Sequence, residues 1–179
     1  MQLVNYQDNK EIRRDIEPLF VTAFPRNERP PADYYFSSFS NPNNALFGFY
    51  DEGKFIGFSS ISLYKDICYI FFLAVVENER DKGYGSQIIS LIKEKYNKYT
   101  ILLCYEEVDE KYPDFAMRKR REQFYFRNGF KKNPLMSDEF GVIYQTAVIG
   151  DRIVTFEEYQ EIFKNGFGEH TLPYLRKYK

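Results

Sequence analysis

The chain has 179 residues, enough for one well-buried core and too few for two comfortable ones, so a single compact unit is the default. With 44% hydrophobic residues, including 16 Tyr and 18 Phe, it has the composition of a folded protein rather than a disordered one. A net charge of −1, from 25 basic and 26 acidic side chains, supplies no global field, so neither nucleic acid nor an anionic membrane is expected as a partner.

Cys68 and Cys104 both lie in strand-like apolar runs, where a reduced, buried thiol is the common outcome. No metal-ligand spacing surrounds the single His170, so no metal is expected and a cytoplasmic location fits best. The segment Met1 to Asp8 lacks a basic stretch followed by an apolar one. No apolar run reaches the length of about 18 residues that spans a bilayer, so neither secretion nor membrane insertion is expected.

Along the chain, Asp8 with Glu11 fits a capping box, and Ile12, Ile16, Leu19 and Phe20 recur at helical spacing, with Pro18 expected to kink or split that helix. The polar stretch from Pro25 to Pro31 reads as a loop, and Ala32 to Phe39 as a short aromatic helix that forms part of a cleft wall. Leu46 to Tyr50, the turn signal Asp51-Glu52-Gly53-Lys54, and Phe55 to Tyr64 predict a β-hairpin. The apolar run Ile67 to Val76 continues that sheet as a buried strand.

Immediately after it comes Arg80-Asp81-Lys82-Gly83-Tyr84-Gly85, and then a helical pattern from Ser86 to Tyr96 in which Ile88, Ile92 and Tyr96 lie one above another. Thr100 to Tyr105 is the next strand, parallel to 67–76 because a helix crosses over between them. Asp114 caps a helix that runs to Arg127 and is closed by Gly129; Phe130-Lys131-Lys132 and Val142 to Ile149 return as strands. Thr155 with Glu158 opens a last helix, ending near Lys164.

A strand, a glycine turn and a helix start make a place to hold phosphate, because the first helical turn has unpaired N–H donors and a positive dipole end. Dinucleotide binding is disfavoured, since the Rossmann fingerprint needs a third glycine where Ile88 stands, and the P-loop Lys-Ser/Thr pair is missing.

Leu73-Ala74-Val75 followed by Arg80-x-x-Gly83-x-Gly85 resembles the acetyl-CoA-binding segment of the GNAT N-acetyltransferase superfamily. A second segment, Arg121-Glu122-Gln123-Phe124-Tyr125-Phe126-Arg127-Asn128-Gly129-Phe130, is similar to that family's later helix, in which a Phe-Tyr pair precedes a Gly-Phe turn. The resemblance covers roughly residues 1–149, taken as the acetyltransferase domain, with 150–179 expected to be a C-terminal helix and tail packed on it. It implies an α/β (α+β) fold with a mixed, mostly antiparallel sheet, splayed between the parallel strands 67–76 and 100–106, and helices on both faces.

In that fold the slot between the splayed strands takes the pantetheine arm of acetyl-CoA. The resemblance has backbone groups of Leu73, Ala74 and Val75 pair with pantetheine amides. The pyrophosphate sits on N–H groups of Arg80, Asp81, Lys82, Gly83, Tyr84, Gly85 and Ser86, with Gly83 and Gly85 keeping side chains out of its way.

The activity implied is transfer of acetyl from acetyl-CoA to a primary amine. A thioester already carries a good leaving group, so the protein must help deprotonate the amine, stabilise an oxyanion and return a proton to the thiolate. By resemblance Tyr125 lies near the thioester sulfur, and with an ordinary pKa of about 10 it can supply that proton; its alternative role is a core aromatic. No carboxylate occurs between Ile67 and Val76, and Tyr69 stands at the position where many members carry one. Glu106 is the favoured substitute over Glu107, because alternation sends only one of them into the cleft; a solvated strand end and an ordered water chain are the alternatives.

Arg118-Lys119-Arg120-Arg121 cannot converge on one anion such as a 3′-phosphate, because successive helix residues point apart, and most of it reads as a solvated face. Neither cysteine lies where attack would occur, which favours a ternary complex over a covalent intermediate. The expected acceptor is a small-molecule or peptide amine, in a slot lined by aromatics of Ala32 to Phe39 and acidic residues near Glu106, and the expected assembly is a monomer or homodimer. The competing reading is a non-catalytic acyl-CoA-binding sensor or interaction module, which Tyr69 at the carboxylate position keeps open.

Overall fold

Apolar runs of strand length close, in a computed structural model describing residues 1–178, into one sheet of eight strands. These are β1 (Gln2–Asn5), β2 (Asn44–Asp51), β3 (Lys54–Tyr64), β4 (Ile67–Val75), β5 (Thr100–Glu106), β6 (Lys131–Glu139), β7 (Val142–Ile149) and β8 (Leu175–Tyr178). Their spatial order is β1-β2-β3-β4-β5-β7-β6-β8. Every neighbouring pair is antiparallel except β4 and β5, the mixed sheet expected of a helical crossover.

Helices α3 (Tyr84–Lys95) and α4 (Phe115–Arg127) cover one face, where Ile88, Ile89 and Ile92 meet Phe47, Ile70 and Leu103. On the other face lie α1 (Arg13–Ala23), α2 (Ala32–Ser37) and α5 (Phe156–Phe167). Thr155 and Glu158 cap α5 reciprocally, as the sequence predicts. Gly129, in the left-handed region at φ 95°, closes α4, with the N–H groups of Gly129 and Phe130 donating to the carbonyls of Phe126 and Tyr125. No helix among the described residues is long and apolar enough to cross a membrane.

Local expectations fail in several places, among them the Asp8–Glu11 capping box, whose place Asn9 takes, and Asp114, which begins α4 without a capping hydrogen bond. Helix α1 runs unbroken through Pro18, which is exposed, so the carbonyl it deprives of a partner faces water; the break comes earlier, where a 3₁₀ turn capped by Asn9 meets Arg13. Tyr35, Phe36 and Phe39 are core residues under α2 and do not line a cleft. Strand β6 runs well past Lys132 because its register shifts between Lys132 and Met136, which accommodates Pro134. Strand β8, pairing with β6, carries three exposed residues in four and has no alternation to read.

The parallel pairing of β4 with β5 covers only Ile67↔Thr100 to Ile70↔Leu103. Beyond it, β4 stays on β3 as far as Val75↔Gly57, and β5 stays on β7 as far as Glu106↔Tyr144. The sheet therefore splits into a slot whose walls are the free edges of Phe71–Val75 and Cys104–Glu106. A bulge in β4 accompanies the split: Phe71 is an extra residue between the pairs Ile61↔Ile70 and Ser60↔Phe72. Two buried serines of β3 hold it, Ser59 Oγ donating to the Phe72 carbonyl at 3.0 Å and Ser60 Oγ accepting from the Phe72 N–H at 3.2 Å.

Candidate active site

One end of the slot is the turn between β4 and α3. Asp81 at φ 63° and Gly83 at φ 84° are both in the left-handed region, and Gly83 is the N-cap residue of α3 with no side chain to cap it. A Cβ on Gly83 would meet nothing within 4 Å, so the space in front of the turn is open. The first N–H groups of α3 lack intrahelical acceptors and point into that space.

The side chains of the turn are engaged elsewhere. Arg80 Nε donates back to the Val75 carbonyl at 3.2 Å, Arg120 of α4 pairs with Asp81, and the Tyr84 hydroxyl donates to Asp51 at 2.8 Å. Lys82 donates to Glu79 at 3.0 Å, and with Lys54 it holds that buried carboxylate below its usual range. What remains at the mouth is backbone. Gly85 has a packing reason beside the expected one: a Cβ there would lie 2.9 Å from Cζ of Phe124, so glycine permits the close approach of α3 to α4. Ser86 borders an open hollow of about 390 Å³ shared with Ser90, Lys93, Arg127 and Asn128.

The other end is built of side chains. Tyr125 is half-buried, its ring against Tyr105 and Phe130, and burial pushes its phenol up to about 12, with Arg121 opposing. Glu106 is buried and accepts from Arg121 Nη1, so the arginine run is not merely a solvated face. Its members do diverge: Arg118 goes to Asp114 at 2.8 Å and the Glu107 carbonyl at 3.1 Å, Arg120 to Asp81 and Arg121 to Glu106. Glu107 turns away, held by Lys111 at 2.7 Å and the Tyr112 hydroxyl at 2.8 Å, with its carboxyl lowered chiefly by Lys111.

Two residues of this end carry no signal in the sequence. Glu28, in the α1–α2 loop, accepts from the Tyr144 hydroxyl of β7 at 3.3 Å, and burial together with the charge of Glu106 raises its carboxyl. Tyr144 faces Glu106 across the ladder, so the Glu28 and Glu106 carboxyl groups gather beside the slot with Arg121, and Arg118 also acts on Glu28. Tyr69 is sealed in the core, where its hydroxyl meets Cys104 Sγ at 3.1 Å and the Tyr159 hydroxyl at 3.0 Å. Among the described residues no cluster of His, Cys, Asp and Glu has the geometry to hold a metal ion.

Known structures share this architecture. An acetyltransferase from the GNAT family of Bacteroides thetaiotaomicron superposes with a TM-score of 0.75 at 20% identity, over 97% of this chain and 98% of that one. An aminoglycoside 6′-N-acetyltransferase complexed with coenzyme A gives a TM-score of 0.68 at 14% identity, over 86% of this chain and 100% of that one. A spermidine N-acetyltransferase mutant from Vibrio cholerae gives 0.63 at 13%, over 83% and 94%. At such identities the likeness is one of fold. No curated protein matches the sequence. Residues 9–130 match the family model described as Acetyltransferase (GNAT) family, well over half the chain, and so the chain belongs to the GNAT acetyltransferase family.

Proposed function

We propose that this protein binds acetyl-CoA in the β4–β5 slot and transfers the acetyl group directly to a primary amine within a ternary complex. The observation that carries the reading is the pair of free strand edges ending at a turn whose Arg80, Asp81, Lys82 and Tyr84 side chains are engaged elsewhere. Leu73, Ala74 and Val75 offer their backbone to an extended, amide-bearing arm, as a strand edge does. The N–H groups from Asp81 to Ser86 receive the diphosphate, that of Arg80 being already held by the Glu77 carbonyl at 3.1 Å, and Lys93 and Arg127 beside Ser86 are better placed than the diverging Arg118–Arg121 run for a further phosphate. A structural neighbour crystallised with coenzyme A supports a co-substrate of this chemistry.

At the acceptor end, Glu28 and Glu106 favour a cationic acceptor, so the physiological substrate is an amine that arrives as an ammonium. Proton uptake by Glu106 would have to break its pair with Arg121, which favours a positioning role for that carboxylate. Tyr125 makes no hydrogen bond among the described residues and is free to donate to the departing thiolate. The sensor reading draws on one observation, that Tyr69 is sealed away where a carboxylate would serve as base. Release of free thiol from acetyl-CoA, measured with polyamines, amino acids, aminoglycosides and peptide N-termini, separates the two. Amine-dependent release is the expected result; tight acetyl-CoA binding without it would leave the sensor.

A further inference from the structure

The β5 residue just past the last parallel pair is Cys104, half-exposed at the apex of the slot on the same face as Glu106. Its thiol heads a chain of polar groups running away from the slot. Cys104 Sγ lies 3.1 Å from the Tyr69 hydroxyl, which lies 3.0 Å from the Tyr159 hydroxyl, which donates to Glu139 Oε1 at 2.5 Å; Ser137 Oγ donates to the same oxygen at 2.7 Å. Tyr69, Tyr159, Ser137 and Glu139 are all buried.

With Glu139 ionised, proton counting fixes the direction of the chain. A phenol has one proton to give, and that of Tyr159 goes to Glu139, so its oxygen must accept from Tyr69. The proton of Tyr69 is thereby used, and its oxygen accepts the S–H of Cys104. Every donor points from the slot toward a single buried carboxylate. A carboxylate so deep in a hydrophobic setting needs a reason, because burying a charge costs heavily unless several donors serve it.

We propose that Cys104, Tyr69, Tyr159 and Glu139 form a proton relay that carries the proton lost by the acceptor amine out of the slot, replacing the carboxylate that Tyr69 displaces. The inference rests on the acetyl-transfer reading above. As the amine nitrogen bonds to the acetyl carbon, its proton passes to Cys104 Sγ while the thiol proton moves to Tyr69, that of Tyr69 to Tyr159, and that of Tyr159 to Glu139. One N–H bond is broken and one carboxyl O–H is made; the thiol and both phenols end as they began. Cys104 is the catalytic residue, and Tyr69, Tyr159 and Glu139 act through it as positioning residues.

Glu139 must be ionised to accept. Burial raises its carboxyl, with Asp138 of β6 adding to the rise and Tyr159 of α5 and Ser137 of β6 opposing it. From β5 Cys104 and Glu106, from β4 Tyr69 and from β7 Tyr144 complete the titratable groups around the relay, and Arg176 of β8 is the register partner of Asp138. The acid limb of kcat/KM should therefore lie above the ordinary carboxylate range.

The test combines kinetics with chemistry on the free protein. Tyr69→Phe and Cys104→Ala should each lower kcat about 100-fold with the KM for acetyl-CoA unchanged, the size expected for a lost proton-transfer partner. Cys104→Ser, which keeps a donor and an acceptor, should recover most of that loss, and Glu139→Gln should abolish the acid limb. Wild-type rates in Tyr69→Phe with an intact acid limb in Glu139→Gln would overturn the relay. Should Tyr69→Phe not fold, the contrast of Cys104→Ala with Cys104→Ser decides.

Without any substrate, in a Cys68→Ser background, Glu139→Gln should move the pH midpoint for alkylation of Cys104 downward, because burial and then the Glu139 charge raise that thiol and the substitution removes the second cause. An unmoved midpoint would also overturn the relay. Absence of amine-dependent thiol release from the wild-type protein would overturn the transfer reading instead, so the two failures are distinguishable.

Discussion

The two ends of the slot are made of different material. At the turn between β4 and α3 the open groups are backbone N–H donors, and the side chains around them are occupied with Val75, Asp51, Glu79 and Arg120. At the acceptor end the open groups are side chains, delivered by the α1–α2 loop, β5, α4 and β7. A site of backbone amides serves any ligand that carries the same diphosphate, whereas one of side chains can be rewritten residue by residue without disturbing the sheet. Under the proposed function, the contrast would let the co-substrate end stay constant while the acceptor end is rewritten.

The sharpest way to break that contrast is at Tyr125. Tyr125→Phe should lower kcat about 100-fold, about 2.7 kcal/mol, with acetyl-CoA affinity unchanged, because only the departing thiolate needs the hydroxyl. Stopped-flow turnover together with calorimetry of acetyl-CoA binding checks it; equal turnover would remove Tyr125 from the chemistry.

Next in size is Arg121→Ala, which leaves the buried Glu106 carboxylate without its partner. Loss of a buried pair costs several kcal/mol, but Arg121 is itself 38% exposed, so about 2 kcal/mol is the discounted figure, read from urea denaturation. A second change, Glu106→Gln, should restore most of it. Additive losses in the double variant would show that the two residues do not depend on each other.

Gly83→Ala tests the backbone end. A Cβ there meets no atom, so the penalty is that of a left-handed residue alone, about 1 kcal/mol, and acetyl-CoA affinity should fall about fivefold as the turn relaxes. Unchanged affinity would show that the turn need not keep this shape to bind. The smallest effect belongs to Arg120→Ala, which removes an exposed pair with Asp81 and should cost under about 0.5 kcal/mol, vanishing in high salt.

Legibility in the sequence follows the same division. Strands β2 to β5 and the helix starts at Gly83 and Thr155 announce themselves by apolar runs, glycine and capping residues, since local sequence sets them. The turn at Arg80–Ser86 belongs to this class. Strand β8 does not, because Arg176, Lys177 and Tyr178 are exposed and the strand exists only through its pairing with β6. Glu28 and Tyr144 lie 116 positions apart, and nothing local to either marks the contact. Gly85 was legible as a required glycine, but its packing role was not, since Phe124 reaches it only after α4 has packed.

Chain-wide amide NMR during a titration with acetyl-CoA tests most directly the claim that backbone of the slot and turn holds the co-substrate. The account predicts the largest shifts at the N–H groups of Leu73 to Val75 and of Asp81 to Ser86, saturating together. Saturable shifts centred on any other surface, or none at all, would contradict it.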